Sequence, residues 1–291
     1  MLQVARLAPK QLGESRNLVA AFLQSRLNPD GGFQDRTGDS DLYYTVFGLE
    51  GLVALQEPVP ADAVASYLRR FGDGGDLDFV HLACLARCWA NVSRHLSGIP
   101  AREILARLEG HRALDGGYAQ TPEAVHGNVY ASFLALGAYQ DLRAPVPEPH
   151  RLLNALSALR ARDGGYANQL GDAHGITTVT AAAVLLLKAL DGALDPHLGM
   201  WLLDRCHPSG GFVATAAAPV PDLLSTATGL HALAALHVPL AGVCEACLDF
   251  VDSLWTNRGG FYGSWLDDTL DCEYTYYGLL ALGHLTVAAP A

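Results

Sequence analysis

A pair of adjacent glycines recurs six times along the chain and constrains the fold more than any other feature. The pairs begin at positions 31, 74, 116, 164, 210 and 259, so successive repeats are 43, 42, 48, 46 and 49 residues apart. A period of this length indicates repeated supersecondary units. Paired glycines permit a turn with positive φ, and the aromatic residue that follows can enter the core. Five repeats have this aromatic residue, namely Phe33, Tyr118, Tyr166, Phe212 and Phe261, and the second has Asp76.

Two kinds of apolar pattern alternate around these turns. Before a glycine pair the apolar residues are spaced as on one face of a helix, as in DAVASYLRRF at 62–71. After it comes a more uniformly apolar stretch rich in small residues, as in TTVTAAAVLLLKAL at 177–190. The first pattern is typical of a surface helix and the second of a helix buried on most sides. We therefore predict twelve helices that alternate between an outer and an inner layer.

The first and last repeats resemble each other. DLYYTVFGLEGL at 41–52 matches DCEYTYYGLLAL at 271–282. Open helical solenoids have atypical, polar end repeats, whereas these two look like interior ones. The last repeat should therefore pack on the first. The predicted fold is all-α, an (α/α)6 toroid with a central cavity, and the absence of a linker indicates a single domain over residues 1–291.

Composition narrows the classes of function. The net charge is −11 with only two lysines, which excludes the basic surface that nucleic-acid binding requires. No stretch approaches the ~20 apolar residues of a membrane span. Six cysteines without framework spacing suit a reducing compartment. We expect an unprocessed, soluble, cytoplasmic protein.

Acidic residues collect where the inner helices begin, and all six beginnings should lie at one mouth of the toroid. Helix N-termini attract anions, and Asp is also a common N-cap. The sixth repeat holds Asp267, Asp268, Asp271 and Glu273, more carboxyls than one cap can use. Glu273 could have a raised pKa and act as an acid. The alternative is an ordinary first-turn glutamate that the helix dipole favours.

Aromatic residues near the same mouth would line a cavity suited to a long apolar ligand, or would pack between helices. They are Tyr43, Tyr44, Phe47, Tyr130, Trp265, Tyr274, Tyr276 and Tyr277. Cys244 and Cys247 form a CxxC with no second pair in the chain, so we interpret them as structural.

The stretch GGFQDRTGDSDLYYTVFGLEGLVAL at 31–55 resembles a repeat of the protein prenyltransferase β subunits. The resemblance extends over all six repeats. These subunits share their fold with squalene cyclases and class II terpene cyclases. The resemblance implies a toroid that binds an isoprenoid or prenyl diphosphate. It also suggests a protein partner like the family's α subunit, with a homodimer as the alternative.

The family's zinc ligands are largely missing. In the family, Asp and Cys of a D-x-C motif and His of a D-x-[YF]-H-T motif bind zinc. This sequence has Asp222 at the first position, but Leu224 and Tyr274 replace the Cys and the His. A catalytic zinc needs three protein ligands, so we expect the family's zinc to be absent and leave magnesium open.

Some of the family's diphosphate-binding residues have a counterpart in this sequence and others do not. The turn Ala173-His174-Gly175 resembles the family's AHGG turn, which places His174 at a diphosphate. Arg36 keeps a family-like position in the first repeat, where its role would be new. The basic residues that the family has after the fifth glycine pair are absent, since VATAAAPVP stands there.

The cyclases protonate an alkene with the middle acid of a D-x-D-D-T motif. Asp271-Cys272-Glu273-Tyr274-Thr275 aligns with that motif and places Glu273 at the proton donor.

These observations lead to a main hypothesis and two alternatives. The main hypothesis is an isoprenoid-handling enzyme similar to prenyltransferase β subunits but without their zinc. The first alternative is a class II cyclase with Glu273 as the acid, and the second is a non-catalytic toroid that binds a lipid or a partner. Glu273 and Asp271 are the candidate catalytic residues, and the candidate substrate-binding residues are Arg36, Tyr44, His126, His174, Tyr274 and Tyr277.

Overall fold

The computed structural model describes residues 1–92 and 98–288, and it is mostly helical. Helices before the first glycine turn are α1 (Leu2–Ala5), α2 (Pro9–Leu12) and α3 (Arg16–Ser25), with a short 3-10 turn at Gly13–Ser15. A two-stranded antiparallel hairpin, β1 (Phe33–Gln34) and β2 (Ser40–Asp41), precedes the first inner helix. The remaining helices are α4 (Leu42–Ala54), α5 (Ala61–Arg69), α6 (Phe79–Val92), α7 (Ala101–Glu109), α8 (Val129–Asp141), α9 (Pro149–Ala158), α10 (Thr177–Ala189), α11 (His197–Leu203), α12 (Leu223–Ala235), α13 (Cys244–Ser253) and α14 (Cys272–Ala288).

The even-numbered helices from α4 to α14 form a closed inner ring. Each packs on the next, and α14 packs on α4. The odd-numbered helices from α3 to α13 form the outer layer. The short helix α1 contacts both α14 and α4 where the ring closes. The predicted (α/α)6 toroid is confirmed, and closure explains why neither end repeat is polar. The single domain over residues 1–291 stays a prediction.

The glycine turns pack against the next outer helix. Gly31 has φ +94° and faces the backbone of α5, where an added Cβ would lie 2.1 Å from the carbonyl oxygen of Ala63. Gly259, in the last repeat, has φ +90° and would place a Cβ 2.1 Å from the oxygen of Leu18 in α3. A side chain would be strained and would collide at both positions. The outer layer therefore closes through Gly259 as the inner layer does through α14.

The aromatic residues that follow five of the six glycine pairs are buried, as predicted. Phe33, Tyr118 and Phe212 are fully inaccessible. The backbone N–H of Phe33 donates to the hydroxyl of Thr45 at 2.9 Å, and that of Phe212 donates to Thr226 at the same distance. A hydroxyl from the inner helix thus satisfies an N–H that the turn buries.

Side-chain caps begin the inner helices at the mouth of the toroid, which we define as the end formed by their N-termini. Asp41, Asn128, Asp222 and Asp271 each accept a backbone N–H three residues further on, at 2.7–3.0 Å. The capping interpretation therefore holds for the three carboxylates among them.

Among residues 1–92 and 98–288, none of the helices combines the length and the apolar character that a membrane crossing requires.

Candidate active site

A central cavity of about 200 Å³ lies between the inner helices and is mostly apolar. Its aromatic lining consists of Tyr43, Phe47, Tyr130, Phe133, Tyr276 and Tyr277. The edge of the Tyr43 ring meets Phe47, with ring centroids 4.9 Å apart. Trp265 does not line the cavity. Its indole packs on Phe250 of α13 and donates to Ser253, which fits the packing alternative.

Glu273 lies beside this cavity in the first turn of α14. The phenol of Tyr43, which lines the cavity, donates a hydrogen bond of 2.6 Å to Oε1 of Glu273. Burial raises the pKa of Glu273 to about 7, and the Asp271 carboxylate adds to the rise. The Tyr43 hydrogen bond and the charge of Arg36 oppose it. A carboxyl in this state exchanges a proton near neutral pH, which is what a general acid requires.

Arg36 joins the first repeat to the last at the mouth. Its Nε donates to Asp271 at 2.7 Å and its Nη2 to Asp267 at 2.8 Å. The guanidinium also lies 5.3 Å from the ring centre of Tyr274. Asp271 is 2% exposed, and burial raises its pKa although its hydrogen bonds oppose the shift.

The other predicted tyrosines lie around this group. Burial raises the pKa of Tyr44 to about 12, and Asp271 and Glu273 contribute to that shift. Burial raises the pKa of Tyr274 to about 12 as well. The structure therefore brings together Arg36, Tyr44, Asp271, Glu273, Tyr274 and, across the cavity lining, Tyr277.

A second ionic group at the mouth connects α4 with α6. His81 contacts Asp41 at 2.9 Å through Nε2 and Asp78 at 2.8 Å through Nδ1. These two carboxylates raise the pKa of His81 to about 9. Sequence reasoning did not select His81 as a site residue. The available signal was the three-residue spacing from Asp78, which places both side chains on one helical turn.

We define the deep end of the central cavity as the end away from the mouth, where Arg87 and Tyr276 line it. A partly buried ion pair lies there. Arg87 of α6 binds Glu50 of α4 through Nη2 and Asp141 of α8 through Nε. Glu50 is 5% exposed. Sequence reasoning missed these residues, although a lone charge within a uniformly apolar inner helix was the signal.

A larger cavity of about 620 Å³ lies beyond Arg87, at the C-terminal ends of the inner helices. We call it the base cavity. It shares Met1, Arg87, Phe133, Leu134 and Leu185 with the central cavity. Arg87 therefore stands at the junction of the two cavities.

The sequence profile of the prenyltransferase alpha-alpha toroid domain matches residues 7–72, 78–213 and 189–288, which is most of the chain. The chain belongs to this family. Sequence comparison with curated proteins finds no significant match.

Solved structures of this toroid shape include proteins of different activities. One is a type II terpene cyclase from Scytonema in complex with geranylgeranyl dihydroxybenzoate, which is 18% identical with a TM-score of 0.65. The alignment covers 97% of this chain and 98% of the cyclase chain. Candida albicans protein geranylgeranyltransferase-I, complexed with GGPP, is 16% identical with a TM-score of 0.67, covering 93% and 90%. A D-mannose isomerase is 13% identical with a TM-score of 0.69, covering 96% and 98%. At these identities the likeness concerns the fold.

The residues that align with the zinc ligands of the prenyltransferase β subunits make other contacts in this structure. Asp222 caps α12 and accepts bonds from the N–H and the hydroxyl of Ser225, both at 2.7 Å. Leu224 lines the central cavity, and the ring of Tyr274 packs against Gly263. In the part of the chain that the structure describes, no three His, Cys, Asp or Glu side chains are grouped to hold a metal ion. The absence of zinc stays a prediction.

His126 and His174 lie apart from the Glu273 group. Each follows the glycine turn of its repeat and contacts an aspartate of that turn, Asp115 at 3.4 Å and Asp163 at 3.9 Å. The side chain of His126 is 56% exposed and that of His174 is 79% exposed. Neither lines the central cavity. Their role in substrate binding stays a prediction.

Proposed function

We propose that this protein is an enzyme that binds a linear isoprenoid in the central cavity and protonates one of its alkenes with Glu273. The observation that carries the proposal is a partly buried carboxyl with a pKa of about 7, bonded to a tyrosine of the cavity wall. A carboxyl with an ordinary pKa would hold almost no proton at neutral pH. This is the chemistry of class II cyclases.

The proton balance of the step follows from the Tyr43 contact. Tyr43 donates to Oε1 of Glu273, which leaves Oε2 to carry the acidic proton. When the alkene takes this proton, a C–H bond forms and a carbocation remains, while Glu273 becomes a carboxylate. Phe47, Tyr276 and Tyr277 line the cavity, and the face of an aromatic ring favours a cation. Attack by a second alkene closes a ring. A carbon next to the final cation then loses a proton to water, and the Glu273 carboxylate regains one from solvent, so the reaction needs no oxidant.

The charges at the mouth favour this reaction over transfer from a prenyl diphosphate. Arg36 is held by Asp267 and Asp271, and His81 by Asp41 and Asp78. Each cation thus faces two carboxylates, so the mouth offers little attraction to a diphosphate. We propose a neutral substrate and a reaction without zinc. Zinc bound through Asp222 at one equivalent per chain would contradict the second part.

One observation favours a second candidate, a toroid that binds a lipid or partner without turnover. The central cavity has a volume of about 200 Å³. Ligand sites usually enclose roughly 300–1,000 Å³. A substrate would therefore need to extend into the base cavity or move side chains.

We also propose that the protein is cytoplasmic. A protein partner and a homodimer both remain alternatives.

The test is turnover of linear isoprenoid alcohols, followed by mass spectrometry of the products, for the wild-type protein and Glu273→Gln. We expect the variant to bind the substrate with unchanged affinity and to lose turnover by at least about a hundredfold. Glu245→Gln is the matched control, because Glu245 is also in a first turn, at the exposed start of α13. Full turnover by Glu273→Gln would remove this acid from the mechanism. Binding without turnover by the wild type would favour the second candidate.

A further inference from the structure

The deep end of the central cavity carries a charged side chain, Arg87, whereas the other side chains of the lining are uncharged. Arg87 uses Nε for Asp141 and Nη2 for Glu50, and its Nη1 makes no hydrogen bond with any residue in 1–92 or 98–288. The Arg87 side chain is 22% exposed although it lies inside the ring. Since Arg87 lines both cavities, this exposure is towards them. The guanidinium therefore presents donors to the space a ligand would fill.

A second donor lies beside it. The hydroxyl of Tyr276 is buried and makes no hydrogen bond of normal geometry among the described residues, although it lies close to the Glu50 carboxylate. Burial raises the pKa of Tyr276 well above its ordinary value, and the nearby Glu50 carboxylate contributes. A buried hydroxyl without a partner costs free energy that phenylalanine would avoid. The wall has phenylalanine at Phe47 and Phe133 and a hydrogen-bonded tyrosine at Tyr43, so a tyrosine without such a bond is informative.

We propose that Arg87, with Tyr276 beside it, recognises a hydrogen-bond-accepting oxygen on one end of an isoprenoid ligand. A guanidinium only donates and a phenol readily does so, which selects an acceptor. The group is uncharged or singly charged and small, such as the hydroxyl of an isoprenoid alcohol. Glu50 and Asp141 offset the charge of Arg87, which favours a group of low charge. Arg143 and Lys188 line the base cavity beyond it.

The position of Arg87 also orients the ligand, and this step rests on the proposed function. Tyr43 and Glu50 lie seven residues apart on α4, which corresponds to roughly 10 Å along the helix. Glu273 is bonded to Tyr43 and Arg87 to Glu50, so the acid and the oxygen site occupy opposite ends of the cavity. An oxygen at Arg87 would place the opposite end of the chain, with its terminal alkene, next to Glu273. A larger head group would extend past Arg87 into the base cavity.

The experiment compares the binding of geraniol, a ten-carbon isoprenoid alcohol, with that of myrcene, a hydrocarbon of the same length. The affinity ratio of the two probes is measured by calorimetry for the wild type and for Glu50→Leu/Arg87→Met. Replacing Glu50 and Arg87 together by apolar residues of similar size usually preserves stability. Asp141 loses its cation in this variant, but 37% of its side chain is exposed and stays hydrated. We expect the ratio to shift about tenfold against geraniol in the double variant, and to shift in the same direction, by less, in Tyr276→Phe.

Tyr130→Phe is the control, because Tyr130 lines the same cavity from the first turns of α8 at the mouth. It should leave the ratio unchanged. An unchanged ratio in the double variant would overturn the proposal, as would a wild-type protein that binds neither probe. Geranylamine in its protonated form, which donates but cannot accept, tests the wild type alone. It should bind at least about tenfold more weakly than geraniol, and equal or tighter binding would contradict an acceptor site.

These outcomes are separable from those of the acid mechanism. If Glu273→Gln keeps full turnover while the double variant shifts the affinity ratio, the oxygen site stands and the proton donor is wrong. If the ratio does not change while Glu273→Gln loses turnover, the reverse holds.

Discussion

Tyr43 and Glu273 are 230 residues apart in sequence, and their side chains share a hydrogen bond of 2.6 Å. Tyr43 lies in the first inner helix and Glu273 in the last, so the bond crosses the contact that closes the ring. It lowers the pKa of Glu273 against the larger effect of burial. The same closure that completes the fold therefore sets the acidity of the candidate proton donor.

Tyr43→Phe should raise the pKa of Glu273 above about 7, because the variant removes a hydrogen bond that stabilises the carboxylate. Since the protonated form is the active one, turnover should fall as pH rises through this pKa. The falling limb of the pH–rate profile should move to higher pH in the variant. Tyr262→Phe is the control, because the Tyr262 hydroxyl accepts an exposed hydrogen bond from Arg258 and has no other hydrogen bond within residues 1–92 and 98–288. A limb that moves to lower pH would contradict the role of Tyr43.

The ion pairs of His81 should make stability depend on pH. The pKa of His81 is raised from 6.5 to about 9 in the folded protein, so the folded state holds an extra proton between these values. The stabilisation is complete below pH 6.5 and is lost as pH rises through about 9. The free energy of unfolding of the wild type should fall across this window more steeply than that of His81→Gln. Denaturant unfolding at several pH values measures both slopes. His150→Gln, at an exposed position of α9, is the control and should keep the wild-type slope.

Arg36→Ala should destabilise the protein by about 1–3 kcal/mol, because it leaves the buried Asp271 carboxylate without its cation. The estimate is discounted for the partial exposure of Arg36, whose side chain is 37% accessible. Arg70→Ala is the matched control. Its pair with Asp30 is exposed on both sides and should contribute about 0–1 kcal/mol. Equal losses of unfolding free energy in the two variants would show that the Arg36 contact is an ordinary surface pair.

Gly259→Ala should cost roughly 3 kcal/mol or more, because the new Cβ combines a left-handed backbone with a collision against Leu18. Gly38→Ala separates the two effects. Gly38 has φ +99° but no atom within 4 Å of an added Cβ, so only the backbone strain of about 1–2 kcal/mol applies. Thermal or denaturant unfolding of both variants gives the difference. If both lose the same free energy, the Gly259 turn does not pack tightly on α3.

The period of the glycine pairs and the alternation of surface and buried helices were sufficient to predict the toroid, because both depend on neighbouring residues. The likeness between 41–52 and 271–282 also predicted where the ring closes. The first-turn position of Glu273 and its crowding by acids and aromatic rings suggested a raised pKa, and burial produces that shift.

Other features were beyond reach of the sequence. His126 and His174 look equivalent to mouth residues in the sequence, but both side chains lie exposed on turns outside the cavity. Trp265 similarly turns outward onto α13. A residue's place in a repeat predicts its position along the chain, whereas the direction of its side chain depends on the neighbouring repeats.

The repeat and the two helical layers follow from the sequence, because glycine conformation and apolar periodicity act over a few residues at a time. The likeness of the end repeats adds the closed ring. Which charges meet depends on the tertiary structure. Arg36 reaches Asp271, Tyr43 reaches Glu273, and Arg87 reaches Glu50 across helices that are distant in sequence. Burial within those contacts sets the pKa values and the polarity of the cavity, since desolvation depends on what surrounds a group in space.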